Sequence, residues 1–457
     1  MQVFVIYSSS VKERLDPIYL KSISVIKNVK TSYPLIALGD LIKEPPQYGA
    51  NERAIDGDPR KDIRYIRITD IDEFGNLRAD DWQTAENIEE KYLLIENDIL
   101  FARSGATAGK CFIYKKEYGK AIYAGYLIRF KFDEAKVNPL YVFFYTQSQR
   151  YTLWVKSIQR PAGQPNINSQ EFKAFTIPLP PLSIQNQIVE IMQSAYAQKK
   201  QKEQEAEKLL ASIDDYVLEE LGIKLPELKD EQCYVVDSKE IDRRVDPYYY
   251  QPKFSQAEEV LRKGKYNLVS LKDVFGNGLI KGILPAQEEK TGDVKVLQIR
   301  NIGIDGTIDI SEYVTAKNIF SKDYLLCKGD VIIVITGATI GKVGLWLFEK
   351  DNFYLGGDMV KFQPVQEYNS YYIQAFLLTE YGQLQIKRYT TGATNKHLSP
   401  DDVKQLKIPS PPLPIQSKIA DEVKRRMSEA QDLRAKSNEL VEQAKRKVED
   451  LILNKAK

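Results

Sequence analysis

The sequence has little histidine and cysteine and no long apolar run, and each absence excludes a class of protein. His397 is the single histidine, which argues against a histidine-based catalytic triad or metal site. Cys111, Cys233 and Cys327 lack a CxxC spacing, which argues against a disulfide framework or zinc site and predicts a reducing cytoplasm. No apolar run reaches the roughly 18 residues of a membrane span, and no basic stretch precedes the first short apolar run, so neither a span nor a signal peptide is expected.

The charges of the chain are nearly balanced. Lysine and arginine number 65 against 63 acidic residues, a net charge of +2, whereas nucleic-acid binders often carry a strong basic excess. Nucleic-acid binding would therefore require local charge patterning or a partner that supplies most of the phosphate contacts. Hydrophobic residues make up 43% and charged residues 28% of the 457 residues, which predicts a folded chain of two or three domains.

The strongest feature of the sequence is an internal duplication. Four segments recur in the same order at an offset of about 231 residues: 14–20 as 244–250, 92–110 as 324–342, 121–132 as 352–363, and 175–192 as 406–423. Four ordered matches at one offset are not expected by chance, so the chain contains two similar halves.

Each half has the same internal plan. Runs rich in Ile, Val, Phe and Tyr, such as 98–105 and 330–337, predict strands. Residues 139–155 and 370–386 follow the pattern of amphipathic helices. A proline-rich break, PLPPL at 178–182 or PSPPLP at 409–414, closes each half, because proline cannot continue a ladder but starts helices well.

A long helix is predicted after each proline-rich break. Positions counted from Ile188 in the first helix and from Ile419 in the second recur at spacings of four and three, which is the 3.5-residue period of a coiled-coil seam. Most of these positions hold apolar or small residues, but Lys199, Lys202, Arg426 and Lys447 also fall on the seam. Each helix has ~40 residues and a length of roughly 60 Å, and Gly222 and Pro226 are expected to end the first. We predict that the seam forms the assembly surface, with Ile188, Met192, Leu209, Ile213, Ile419, Val423, Leu440 and Ala444 as its members.

The duplication predicts an arrangement as well as a fold class. We expect an α+β protein with two tandem mixed α/β domains, separated by two long antiparallel coiled-coil helices and related by a pseudo-two-fold axis. Such a chain would hold two similar domains apart. On B-DNA they would touch two half-sites about one helical turn apart.

These segments resemble the type I restriction–modification specificity subunits over nearly the whole chain. The resemblance rests on 98–110 and 330–342, on the asparagine-bearing loops 163–172 and 392–403, and on the duplicated PLPPLSIQNQI and PSPPLPIQSKI segments. In the PLPPLSIQNQI and PSPPLPIQSKI segments, Ile184 and Ile415 stand where family members often have Glu before the Gln. The resemblance implies two target-recognition domains that read the halves of a split DNA sequence, with helices that set the spacer length.

The resemblance also implies partners and domain bounds. The chain would recruit two adenine-N6 methyltransferase subunits and, in the larger assembly, restriction subunits that translocate DNA. S-adenosylmethionine, ATP and Mg would be bound by those partners, with no cofactor in this chain and a cytoplasmic location. We expect target-recognition domains at 1–177 and 230–408, a central helix and linker at 178–229, and a C-terminal helix at 409–457.

The duplicated glycine-rich blocks do not fit a nucleotide-binding loop. Their glycines, at 105 and 109 and at 337 and 341, are one residue closer than the Walker spacing, and no Ser or Thr follows the lysine. Tight turns that need the conformational freedom of glycine explain the blocks, with or without contact to a DNA phosphate. The candidate DNA contacts in and beside these turns are Arg103, Ser104, Lys110, Thr336 and Lys342.

Two further loops carry side chains that can read bases. Asn and Gln pair bidentately with adenine and Arg with guanine in the major groove, and the candidates here are Arg160, Gln164, Asn166, Arg388, Asn395, Lys396 and His397. The alternative is an ordinary polar loop in which Asn168 and Ser399 cap the next helices. Because shared motifs cannot read two different half-sites, base contacts are also expected where the halves differ, such as 72–90 against 303–318.

Enzymatic alternatives lack their motifs. We find no convincing PD…(D/E)xK nuclease grouping, and 138–141 (NPLY) lacks the second proline of an adenine methyltransferase tetrapeptide. We therefore predict a non-catalytic chain. The remaining alternatives are a DNA-binding scaffold or adaptor of another defence system with the same fold, and a coiled-coil adaptor without a DNA role. The basic run 198–202 fits either a solvated helix face or contact with spacer phosphates.

Overall fold

The structure is a computed structural model. It describes residues 31–72, 75–78, 82–158, 165–224, 228, 231, 233–239, 241, 244–283, 292–316, 321–349, 352–392 and 396–453. Three candidate DNA contacts, Arg160, Gln164 and Asn395, lie outside the described residues, as does the first copy of the repeat's opening segment at 14–20.

The chain divides into two compact units. The first unit contains residues 1–201 and 436–457, and the second contains 202–435. Each unit therefore consists of the globular part of one repeat and a portion of each of the two long helices. The boundaries predicted from the sequence instead treat the helices as separate segments.

The first unit is built around a four-stranded antiparallel sheet in the order β2-β9-β6-β7. The pairs β1–β10 and β3–β5 are antiparallel and β4–β8 is parallel. Its strands are β1 Leu35–Ala37, β2 Gln47–Tyr48, β3 Ala54–Asp56, β4 Arg64–Ile66, β5 Gln83–Ala85, β6 Ile99–Ala102, β7 Cys111–Ile113, β8 Ala121–Tyr123, β9 Leu127–Phe130 and β10 Thr176–Pro178.

The second unit repeats this plan. Its four-stranded antiparallel sheet has the order β12-β18-β15-β16, beside a three-stranded sheet β14-β13-β17 and the pair β11–β19. Its strands are β11 Leu268–Ser270, β12 Ile280–Lys281, β13 Val294–Leu297, β14 Val314–Ala316, β15 Val331–Val334, β16 Val343–Leu345, β17 Phe353–Leu355, β18 Met359–Phe362 and β19 Lys407–Pro409.

The central strand of each sheet is buried on both faces. Successive side chains of a strand point to opposite faces, so an unbroken apolar run can serve two cores. In β6, Ile99 and Phe101 belong to one hydrophobic cluster and Leu100 to another. In β15, Ile333 and Ile332 divide in the same way.

The two long helices that the sequence predicts are present in the structure. They are α4 Leu182–Glu220 and α9 Leu413–Leu453. The shorter helices are α1 Pro139–Tyr145, α2 Gln149–Ile158, α3 Ser169–Ala174, α5 Pro252–Arg262, α6 Ser370–Leu378, α7 Glu380–Tyr389 and α8 Pro400–Gln405. Gly222, with φ of 66°, follows the end of α4, and the N–H of Ile223 donates to the Leu218 carbonyl at 2.8 Å. That is the helix stop that glycine favours.

The amphipathic patterns at 139–155 and 370–386 each form two helices and not one. In the second unit the break falls at Thr379, which has ψ of 157° and accepts a hydrogen bond from the N–H of Gly382. A threonine that caps a new helix competes with continuation of the old one. The periodicity therefore gave the correct type of element but missed the break.

The two long helices run antiparallel within each unit. In the first unit, Met192 and Ala195 of α4 pack with Ala444 of α9. In the second unit, the Arg426 guanidinium of α9 donates to the carbonyl oxygen of Ser212 in α4 at 2.7 Å. Contacts with this order, an early residue of one helix beside a late residue of the other, establish the antiparallel pairing.

Candidate nucleic-acid interface

The glycine-rich blocks form tight turns that join a central strand of each four-stranded sheet to its edge strand, β6 to β7 and β15 to β16. Gly105 and Gly109 have φ of 77° and 91°, and Gly337 and Gly341 have 94° and 92°. A Cβ added at Gly109 would lie 2.6 Å from a methyl group of Val155. Glycine is therefore required there for backbone conformation and for space.

The lysine that closes each turn is bound inside its own unit. Lys110 Nζ donates to the carbonyl oxygen of Ile71 at 2.8 Å, and Lys342 Nζ donates to that of Ile302 at 2.6 Å. Both lysines are half-buried. Contact of these lysines with a DNA phosphate stays a prediction, but the structure gives each a role in holding a neighbouring loop.

The loops held by these lysines belong to the segments that differ between the halves. Both are turns closed by a glycine with positive φ, Gly75 at 82° and Gly306 at 81°. The side chain at Ile304 is 86% exposed. These loops lie at the start of the predicted base-reading segments 72–90 and 303–318, and their contact with bases stays a prediction.

Each glycine turn lies beside the second candidate loop of its unit. In the first unit, the N–H of Gly105 donates to the Pro165 carbonyl at 3.0 Å, and Ser104 forms a β-bridge with Asn166. In the second unit, the N–H of Gly337 donates to the Lys396 carbonyl at 3.1 Å. Thr336 likewise forms a β-bridge with His397. We call each combination, 103–110 with 165–168 and 335–342 with 396–398, a turn–loop surface.

The first turn–loop surface carries an organised set of polar side chains. Arg103 Nε lies 3.4 Å from Asn166 Oδ1, and its guanidinium lies 4.9 Å from the ring centroid of Tyr48. The hydroxyl of Tyr48 donates to Ser169 Oγ at 3.3 Å. Stacking on the ring holds the guanidinium plane while its terminal nitrogens remain available for a ligand.

Two exposed aromatic residues that adjoin this surface were not identified from the sequence. Tyr48 is 37% exposed, and Tyr126 is 64% exposed in the turn between β8 and β9. Tyr48 is the last residue of β2 and Tyr126 immediately precedes β9. Neither position stands out from an ordinary sheet edge in the sequence. Exposure of a large aromatic side chain is visible only in the folded chain.

The second turn–loop surface carries different side chains on the same backbone. Thr336 Oγ1 lies 3.3 Å from His397 Nδ1, and the N–H and carbonyl of His397 are both bonded to Thr391 at 2.8 Å. Lys396 is exposed beside them. The single histidine of the chain therefore lies on a candidate binding surface.

Arg388 does not lie on this surface, contrary to its place among the candidate DNA contacts. Its Nη1 donates to Glu258 Oε2 at 2.8 Å, and its guanidinium lies 4.4 Å from the ring centroid of Tyr249. Only 17% of its side chain is exposed. An arginine at the end of α7 is thereby directed toward α5 of its own unit, because ion pairing and stacking satisfy the guanidinium there.

Asn168 and Ser399 cap the helices that follow them, as predicted from the sequence. Asn168 Oδ1 accepts hydrogen bonds from Gln170 and Glu171 at the start of α3, and Ser399 Oγ accepts one from Asp402 at the start of α8. Capping and DNA contact are compatible, because the caps fix where each loop leaves the surface.

The predicted seam residues are mostly covered by the chain itself. Ile188 packs in the core of the first unit with Ile452, and Ile419 packs in the core of the second. The buried members are Ile188, Met192, Ile419, Val423 and Ala444, and the half-buried members are Leu209, Ile213 and Leu440. A partner subunit on this seam stays a prediction, for which the half-buried members offer the accessible area.

Neither a metal cluster nor a membrane span is found among the described residues. No group of three or more His, Cys, Asp or Glu side chains there could hold a metal ion. No helix in the described part of the chain is long and apolar enough to cross a membrane. Cys111, Cys233 and Cys327 are free thiols, of which Cys111 is buried.

Comparison with known proteins gives two family matches in this chain. The family model of the type I restriction modification DNA specificity domain matches residues 59–211 and 263–443, together more than half of the chain. Each match contains one turn–loop surface.

Similar proteins cover nearly the whole chain. The type I restriction enzyme MjaVIII specificity subunit of Methanocaldococcus jannaschii is 23% identical over 443 residues, which are 93% of each protein. The putative MjaX specificity subunit of the same organism is 24% identical over 371 residues, 79% of each protein. A solved chain of the type I R-M system, studied for complex assembly and conformational transition, has a TM-score of 0.52 at 14% identity. It covers 93% of this chain and 97% of its own length, and shows a shared fold.

Proposed function

Since the chain belongs to the family of type I restriction–modification specificity subunits, we propose that each unit reads one part of a split DNA sequence with its turn–loop surface. The chain is a non-catalytic specificity subunit, so its contribution is selection of the DNA and not chemistry on it. Target selection then depends on side chains held at fixed positions beside a groove.

The main observation behind this proposal is that both units have the same backbone arrangement of turn and loop but present different polar side chains on it. The same N–H to carbonyl hydrogen bond joins turn and loop in both units, from Gly105 to Pro165 and from Gly337 to Lys396. The side chains opposite the turn are Asn166 in one unit and His397 in the other. A shared backbone arrangement with different base-contacting side chains suits a protein that recognises two different half-sites.

We propose two classes of protein partner besides double-stranded DNA. Two adenine-N6 methyltransferase subunits would dock on the helices, and restriction subunits that translocate DNA would join the larger assembly in the cytoplasm. S-adenosylmethionine, ATP and Mg would be held by those subunits. The nearly neutral net charge supports a role for partners, because they would share the phosphate contacts that DNA affinity requires.

The test is selection from randomised duplex DNA with the full chain in complex with its methyltransferase subunits. We expect recovery of two short conserved sequences separated by a gap of fixed length. Binding without sequence preference would overturn the proposal and favour a scaffold role.

Variants of the two surfaces extend this test. Asn166→Ala and His397→Ala together should weaken binding to the selected sequence by roughly 10-fold or more, since good base contacts discriminate at that level. Lys116→Ala is the matched control, because this exposed lysine lies beyond the other end of β7. An equal effect of the control would show that the two surfaces have no special role.

A further inference from the structure

Two positions at or beside the turn–loop surface of the first unit have equivalents in the second unit, because the same backbone hydrogen bond joins each pair. The N–H of Arg103 donates to the Tyr126 carbonyl at 2.9 Å, and the N–H of Ile335 donates to the Asp358 carbonyl at 2.9 Å. The correspondence is therefore structural and does not depend only on aligned sequence. Arg103 corresponds to Ile335, and Tyr126 to Asp358.

The first unit presents hydrogen-bond donors at this place. Arg103 Nε lies 3.4 Å from Asn166 Oδ1, so the acceptor oxygen of Asn166 is turned toward the arginine. The amide nitrogen of Asn166 and the terminal nitrogens of Arg103 are all donors. Tyr48 stacks on the guanidinium and fixes its plane.

The second unit has the opposite character at the same place. Ile335 is fully buried, so it offers neither charge nor donor where the first unit has a guanidinium. Asp358 places a carboxylate, which only accepts hydrogen bonds, where the first unit has the exposed ring of Tyr126. The two surfaces thus differ in charge and in hydrogen-bonding direction on a shared backbone.

Bases differ in hydrogen-bonding direction in the major groove. Guanine presents two acceptors, N7 and O6, whereas cytosine and adenine each present an exocyclic amino donor. Resting on the proposed function, we infer that Arg103 with Asn166 selects a guanine in the half-site of the first unit. Asp358 selects an amino-bearing base, cytosine or adenine, in the half-site of the second unit.

Arg103, Asn166 and Asp358 are therefore specificity-determining residues. Tyr48 is a positioning residue, because it acts through the guanidinium that it supports. The buried Ile335 explains why the arginine's role is absent from the second unit: a side chain directed into the core cannot reach a base.

The test uses Arg103→Lys and Asp358→Asn in the complex of the full chain with its methyltransferase subunits. Selection from randomised duplex DNA gives the preference at every position of both half-sites. Arg103→Lys keeps the charge but loses the bidentate fork. It should reduce the preference for guanine at one position by on the order of 10- to 100-fold and leave the other half-site unchanged.

Asp358→Asn should relax one position of the other half-site, since the amide offers a donor as well as an acceptor. Each variant is the control for the other, because each should alter a different half-site. Arg103→Gln and Asp358→Ser replace them if either variant fails to assemble.

The outcomes separate this inference from the function on which it rests. Wild-type protein that selects no sequence would overturn the proposed function. Variants that assemble and keep every wild-type preference, or a first-unit half-site without a G·C pair, would overturn the assignment of these residues while specificity itself stands.

Discussion

The side-chain amide of Gln185, near the start of the first long helix, accepts a hydrogen bond from the backbone N–H of Asn138 at 2.8 Å. Its amide nitrogen donates to the Pro180 carbonyl at 2.8 Å. Gln416 makes the equivalent bonds in the second unit, to the N–H of Asn369 at 2.9 Å and to the Pro411 carbonyl at 2.9 Å. One glutamine thus fastens each long helix to the cap of a short helix in its unit.

Removal of this glutamine should destabilise the first unit. Gln185 is 1% exposed, so Gln185→Ala leaves buried backbone groups without partners. We expect the free energy of unfolding to fall by about 2 kcal/mol, measured by chemical denaturation. Gln204→Ala is the control, because Gln204 is an exposed residue of the same helix. A similar loss in both variants would contradict a specific role for Gln185.

Lys110→Met should reveal a structural role for the turn lysine. Loss of the half-buried bond to the Ile71 carbonyl should lower the free energy of unfolding by about 1–2 kcal/mol. The dependence of DNA affinity on salt should change by less than the slope of about 0.9 that one lost phosphate contact gives. Lys120→Met, at an exposed position, is the control. A full change in slope would assign Lys110 to a phosphate, as the sequence predicts.

The ion pair of Arg388 with Glu258 should couple two helices of the second unit. A double-mutant cycle with Arg388→Ala and Glu258→Ala should give a coupling free energy of about 1 kcal/mol. Burial raises the pKa of Glu258, but hydrogen bonds from Arg262 and Arg388 outweigh it and the pKa lies below its ordinary value. The stabilisation is therefore present above the unfolded-state pKa and is lost as the pH falls through the folded-state value. Additive single variants at neutral pH would refute the coupling.

Asp98 should give a pH dependence of the opposite sign. Burial raises the pKa of Asp98 from 3.8 to about 6, against the hydrogen bond from the Ile95 N–H and the charge of Arg129 at 3.6 Å. Its contribution to stability is complete below the unfolded-state pKa and is lost as the pH rises through about 6. Relative to Asp98→Asn, the wild type should gain on the order of 2–3 kcal/mol between pH 7 and pH 4. A constant difference across that range would contradict the raised pKa.

The candidate surface could be predicted from the sequence only in part. The glycine turns, Ser104, Asn166, Thr336 and His397 were identified by residue type and repetition. Within its own unit, the structure pairs Ser104 with Asn166 and Thr336 with His397. The orientation of Arg388 was not predictable, because Glu258 and Arg388 are far apart in the sequence. The ring of Tyr48 beside the guanidinium of Arg103 was missed for the same reason.

The duplication, the type of the main elements and the ends of the long helices follow from the amino-acid sequence alone. These depend on periodicity and on the local conformational limits of proline and glycine, such as Gly222, which act within a few residues. Which polar side chains are used within the fold, and which remain available for a ligand, depends on the tertiary structure. Lys110, Arg388 and Arg103 are all cations in or near candidate motifs, yet the first bonds a carbonyl and the second a carboxylate. The third stacks on a tyrosine at the surface. The partners of these three side chains are distant in the sequence. Only folding of the whole unit brings each pair within hydrogen-bonding or stacking distance.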